Sequence, residues 1–230
     1  MITTEEALRE AIQYFEAFPS ISRPEKKKYP DFNKEVIAAM RSRQIVVVAM
    51  PDQLHYPVIM ESLKNDQHIL CVKPLVLKYE QAVEIEKFAY KKGLFIGIEY
   101  HKRFDRRSLI AKRSYELHQF GEFVIGEVKL IEPYFYRSSN FQNWFTCDKT
   151  DPFVYIGCHY VDLVYFITGL KPVEVSVSGI KGKFPNGNEG YLWANGRIRF
   201  ENKALKSINS GLWHNDTFRI LTLFCHPLVF

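Results

Sequence analysis

The chain has 230 residues, enough for one large domain or two modest ones with a real core. Its composition, 47% apolar and 25% charged, is ordinary for a soluble globular protein. The net charge of +5 sits in short, scattered clusters (Lys26-Lys27-Lys28, Lys102-Arg103, Arg106-Arg107) with Asp or Glu near each, which reads as solvated faces and argues against a nucleic-acid surface.

Residues 3–18 have a helical pattern, and 19–31 form a Pro- and Lys-rich connection to a second helix over about 32–42. "QIVVVAM" (44–50) is a continuous β-branched run, expected as a parallel strand buried on both faces. Pro51 ends it, and a helix follows from about Tyr56. "HILCV" (68–72) is the next buried strand. In "YEQAVEIEKFAYKKG", Ala82, Ile85 and Ala89 share a helical face, and Lys91, Lys92 and Gly93 mark its end. "LFIGIEY" (94–100) is a third strand. This alternation of strand and helix predicts a parallel α/β sheet.

After Arg103 the pattern changes. A helix near 105–118 stops before Gly121, and strands dominate thereafter at 122–136, 172–181, 190–200 and 204–213. Their alternation predicts a sheet with one buried face. One helix interrupts them, "DPFVYIGCHYVDLVYFITG", with Asp151 as N-cap, Pro152 in its first turn and Gly169 as its stop. The uncharged end of "FRILTLFCHPLVF" is either an edge strand or a sticky end. The fold class is therefore α/β: an incomplete Rossmann-like parallel sheet in 1–104, then an α+β domain with a largely antiparallel open sheet in 105–230.

The four cysteines, Cys71, Cys147, Cys158 and Cys225, have no CxxC spacing and no paired histidines, so no metal site or disulfide framework is expected and a reducing compartment fits. Glu5 and Glu6 follow Met1 almost at once, and no apolar stretch reaches spanning length. The expectation is a cytoplasmic protein without membrane or nucleic-acid partners.

Ligands of a parallel sheet bind beyond the carboxyl ends of its strands. Three such ends are Ala49-Met50-Pro51, Val72-Lys73-Pro74 and Glu99-Tyr100-His101. Pro74 holds Lys73 to extended backbone, so its side chain leaves the strand in a defined direction. On the helix from Asp151, Tyr155, His159 and Asp162 at i, i+4 and i+7 share a face, where Asp162 can orient His159 for proton transfer. Local sequence alone allows the plainer readings: a solvated lysine, and a surface His–Asp pair on an amphipathic helix.

"VVVAMPDQLHYPVI", "HILCVKPL", "GLFIGIEYHKRF" and "YIGCHYVDLVYFITG", in that order, resemble the Gfo/Idh/MocA family of glucose–fructose oxidoreductase and inositol dehydrogenase. The resemblance covers roughly residues 30–216. It implies an N-terminal Rossmann domain for NAD or NADP and a second domain that completes a substrate site for a sugar, cyclitol or related polyol, oxidised by hydride transfer. It places Lys73 as the lysine of the family's Glu-Lys-Pro motif and His159 as the acid–base group. Met50, Pro51, His55, Pro74, Tyr100 and Arg103 then lie along the cofactor, and Trp144, Tyr155 and Asp162 at the substrate. A homo-oligomer is implied as well.

Three departures stand out. Val72 replaces the motif's Glu, Tyr155 stands where many members have Asp, and no glycine precedes Gly93. A chain without the glycine-rich phosphate loop is expected to bind the cofactor weakly, and its second sheet is expected to stop unfinished. The alternative reading is a non-catalytic fragment or pseudoenzyme that keeps the fold as a binding module.

Overall fold

The structure is a computed structural model that describes residues 31–214 and 218–225. The helix expected over 3–18 and the connection over 19–31 lie outside the described residues, the latter up to its last position. The chain divides into two compact units, Met1–Ala39 and Met40–Phe230. Helix α1 (Asp31–Ala39) is the described part of the first.

In the second unit, β1 (Ile45–Val48), α2 (His55–Lys64), β2 (His68–Val72), α3 (Tyr79–Lys92) and β3 (Ile96–Glu99) build a parallel sheet in the order β1-β2-β3. Its register pairs Val48 with Cys71 and Val72 with Glu99. Val48, Ile69 and Cys71 pack against Ile59 and Leu63 of α2 and Ile85 and Ala89 of α3. Right-handed crossovers put both helices on the same side. The other side explains a departure from the expected two-sided burial of 44–50: Ile45 and Val47 are 61% and 64% exposed. An apolar run identifies the strand type, but cover on each face comes from elsewhere in the chain.

Helix α3 ends as its sequence predicts. Gly93 adopts a left-handed φ of 62°, and its N–H returns to the last turn. Lys92 donates to the carbonyls of Leu63 and Lys64 and pairs with Asp66 at 2.8 Å, placing a cation at the negative end of α2.

Helix α4 (Arg106–Glu116) leads to a second sheet of β4 (Phe123–Pro133), β5 (Pro172–Lys183), β6 (Glu189–Phe200), β7 (Leu205–His214) and β8 (Phe218–Cys225). The order is β5-β6-β7-β4-β8; β4 and β7 run parallel and the other pairs antiparallel. The expected edge strand in the tail is thus β8, and 226–230 lie outside the described residues. Helix α5 (Cys158–Thr168) packs Tyr160, Leu163 and Val164 on Val128, Leu130, Ile198 and Ile208 of this sheet. An α/β parallel sheet followed by a mixed, mostly antiparallel one is the fold class the sequence predicts. Among the described residues no helix is long and apolar enough to cross a membrane.

Candidate active site

The site grows from the exits of β1 and β2. Pro51 ends β1 and Asp52 opens a 3-10 turn, Asp52–Leu54, ahead of α2. The Lys73-Pro74 peptide after β2 is cis. His55 joins the two exits: its Nδ1 lies 2.8 Å from the Pro74 carbonyl and its Nε2 2.8 Å from that of Met50. His55 is fully buried. It therefore ties the two strand exits together. Pro74 is buried too.

Lys73 leaves the sheet edge as Pro74 predicts, and it is half-buried rather than solvated. Its ammonium donates to the Tyr155 carbonyl and lies 3.5 Å from the centre of the Tyr155 ring. Burial draws the Lys73 ammonium below its ordinary range, opposed by Cys158 and by the carboxylates of Asp52, Glu132 and Glu99.

The segment bearing Tyr155 and His159 starts as expected and then differs. Asp151 Oδ1 accepts from the N–H groups of Phe153 and Val154, capping the start. A π-helical turn, Phe153–Gly157, precedes α5. Its wider turn changes how Tyr155 is phased against the residues after it. Tyr155 meets the rings of Phe141 at 5.0 Å and of Trp144 and Phe145 at 5.8 Å, so Trp144 does stand beside it. Burial pushes the Tyr155 hydroxyl up to about 12, so at neutral pH it is a donor and not a base.

His159, buried on α5, packs edge-on against His101 (4.6 Å) and Tyr100 (6.0 Å) just past β3. Lys73 and the helix carrying His159 therefore share one edge of the parallel sheet. Asp162 turns elsewhere. Both its oxygens are held by Arg103, through Nε at 2.7 Å and through a terminal nitrogen. The sequence expectation had Asp162 orienting His159 and Arg103 on the cofactor; the structure pairs them with each other. This fork joins the turn after β3 to α5. Asp162→Ala is expected to cost about 2 kcal/mol, the loss of a charge-assisted pair that leaves Arg103 unmatched. Urea unfolding of the variant checks it.

Four residues given no role from sequence also bear on the site. Asp52, 3% exposed, accepts a hydrogen bond from Thr150 at 2.8 Å and so bolts the β1 exit to the residue before the Asp151 cap. Burial raises the Asp52 carboxyl, with Thr150, Lys73 and His55 acting against that rise. Glu99 Oε1 lies 3.1 Å from His101 Nδ1. The strand ends advertise His101 and Glu99 by position, whereas Asp52 and Thr150 meet only in the fold.

Residues 7–100 match the sequence model of an oxidoreductase family with an NAD-binding Rossmann fold, GFO_IDH_MocA. Over that stretch the chain is similar to this family. An uncharacterized oxidoreductase of Schizosaccharomyces pombe is 29% identical over 157 residues, 66% of this chain and 39% of the relative. D-glucoside 3-dehydrogenase of Escherichia coli is 27% identical over 135 residues, 56% of this chain and 37% of the relative. Among solved structures, apo scyllo-inositol dehydrogenase of Lactobacillus casei superposes with a TM-score of 0.73 at 14% identity, covering 98% of this chain and 63% of that one. The same enzyme with NAD(H) and scyllo-inositol bound gives 0.65 at 16% identity, covering 82% of this chain and 60% of that one. The chain thus spans less than two thirds of the length of these relatives. The structural likeness, at such identities, speaks to fold.

Proposed function

We propose that the chain carries the catalytic edge of an NAD(P)-dependent oxidoreductase that oxidises a sugar, cyclitol or related polyol by hydride transfer. The carrying observation is the meeting of Lys73 with Tyr155, one turn before His159, at the carboxyl edge of a parallel sheet. The division at 104/105 into a cofactor part and a substrate part belongs to this reading, as does a homo-oligomeric state.

A nicotinamide cofactor, when bound, accepts the hydride from the carbinol carbon. The residues present suit its nicotinamide end: Met50, Pro51 and Tyr100, at the same carboxyl edge of the sheet as Lys73, are only partly buried. They suit its pyrophosphate less. At the β1–α2 turn Pro51 lacks an N–H and Asp52 adds a carboxylate, and the sequence has no glycine before Gly93.

In this reading Lys73 donates to the substrate oxygen as alkoxide character develops, and its lowered ammonium makes it a better acid for that role. His159 takes the hydroxyl proton. Tyr155, protonated at neutral pH, binds a second hydroxyl, and the rings of Phe141 and Trp144 fix its position.

The second reading, a non-catalytic binding module, draws on the same lack of early glycines. A titration tests the cofactor grip and a turnover assay separates the two readings. Fluorescence titration with NADH and NADPH is expected to show weak binding, and a micromolar dissociation constant contradicts that. Assay against a panel of cyclitols and sugars at saturating NAD or NADP is expected to show turnover; none with any substrate favours the binding module.

A further inference from the structure

The proposed reaction leaves a proton on His159, a residue only 5% exposed. A buried imidazole that takes a proton in each turnover needs a route to return it to water. Among the described residues, His101 stands against His159 with its own side chain open to solvent. The His101 ring meets His159 edge to face, centroids 4.6 Å apart and planes at 68°. Its side chain is 55% exposed, and its Nδ1 lies 3.1 Å from Glu99 Oε1. At that ring separation a small rotation of the exposed partner brings a nitrogen of one imidazole within hydrogen-bond reach of the other.

We propose that Glu99, His101 and His159 form a proton relay from the buried histidine to solvent. The relay rests on the proposed oxidation for its purpose. The substrate O–H bond breaks and its proton bonds to a ring nitrogen of His159, while the hydride leaves the carbinol carbon for the nicotinamide. His159 then passes a proton to a ring nitrogen of His101, and His101 releases it to water. One proton is freed for each hydride transferred. The contact between Glu99 and His101 is an ion pair only while His101 holds the proton, so the carboxylate stabilises the midpoint of the transfer. Glu99 is placed for this by its strand: it is the register partner of Val72, beside Lys73, and Lys73 feels its charge. His101 acts through His159, as a positioning residue whose ring also carries the proton.

The test reads proton movement without needing turnover. In protein labelled with 15N-histidine, exchange of the His159 ring proton with water is measured by NMR, in wild type and in His101→Phe, which keeps a ring against His159 but cannot carry a proton. The relay requires exchange at least about tenfold slower in the variant. Glu99→Gln, which keeps the shape of the site, is expected to slow it as well. Exchange unchanged in both variants overturns the relay. In turnover assays at low buffer concentration, His101→Phe is expected to be slow and to recover when imidazole buffer is added, and recovery in wild type and variant alike counts against it. A wild type with no turnover on any polyol would sink the oxidoreductase reading, while the exchange rates would still decide the relay.

Discussion

Replacing Lys206 by methionine is expected to stabilise the protein at neutral pH. Lys206 is 1% exposed, the register partner of the core residue Ile198, and its ammonium donates to the Tyr160 carbonyl at 2.9 Å. Lys102 lies 5.5 Å from the same Tyr160 ring, adding a second cation nearby. Burial drives the Lys206 amine from 10.5 down to about 7. Between these values the unfolded chain holds more protons than the folded one, so stability rises with pH across the interval. Below pH 7 both states are charged and the penalty is complete, on the order of 4–5 kcal/mol. Methionine has a similar length and no charge to bury, so Lys206→Met should recover a few kcal/mol at pH 7. Urea unfolding between pH 6 and 10 (about the span of the titration) should show the wild type gaining stability while the variant stays nearly flat. A flat wild type, or a variant less stable at pH 7, would refute the assignment.

Lys73→Ala is expected to lower turnover by at least about a thousandfold, since it removes the group proposed to meet the developing alkoxide. An exposed lysine would be lost with no effect on folding. Lys73 is instead half-buried, against both the carbonyl and the ring of Tyr155. Its loss should therefore also cost about 1–2 kcal/mol. Turnover at saturating cofactor and thermal unfolding are the two measurements, and a variant within threefold of wild-type activity (a difference of roughly 0.6 kcal/mol) would remove Lys73 from the mechanism.

The parallel sheet was legible because each of its signals is local. A β-branched run, a proline at the exit and a glycine stop at Gly93 specify strand, edge and helix end without reference to distant residues. The placement of Lys73 followed from the same features. What escaped depends on pairs far apart in the chain: Asp52 with Thr150, and Arg103 with Asp162. Such pairs leave no periodic trace. The π turn at Phe153–Gly157 escaped because helical spacing was assumed to be uniform through Tyr155. Strand β7 is the sharpest case. Leu205 is exposed and Lys206 buried, the reverse of what their polarity suggests. Ile208 and Leu212, fully buried, set the alternation of the strand, and parity then carries Lys206 inward.

The parallel pairing of β4 and β7 also has a bearing on how the chain is made. Ile125 finds its partner at Leu205, and the other neighbour of β4 is β8, later still. No strand between them joins β4, so when it leaves the ribosome it must wait for eighty residues more. At ordinary rates of synthesis that wait is on the order of ten seconds. Throughout it a long strand that will later be interior to the sheet stands with both edges open, and the hairpin of β5 and β6 can close before it. The interval in which a chaperone would be most useful to this protein is therefore set by topology, and it ends when β7 emerges.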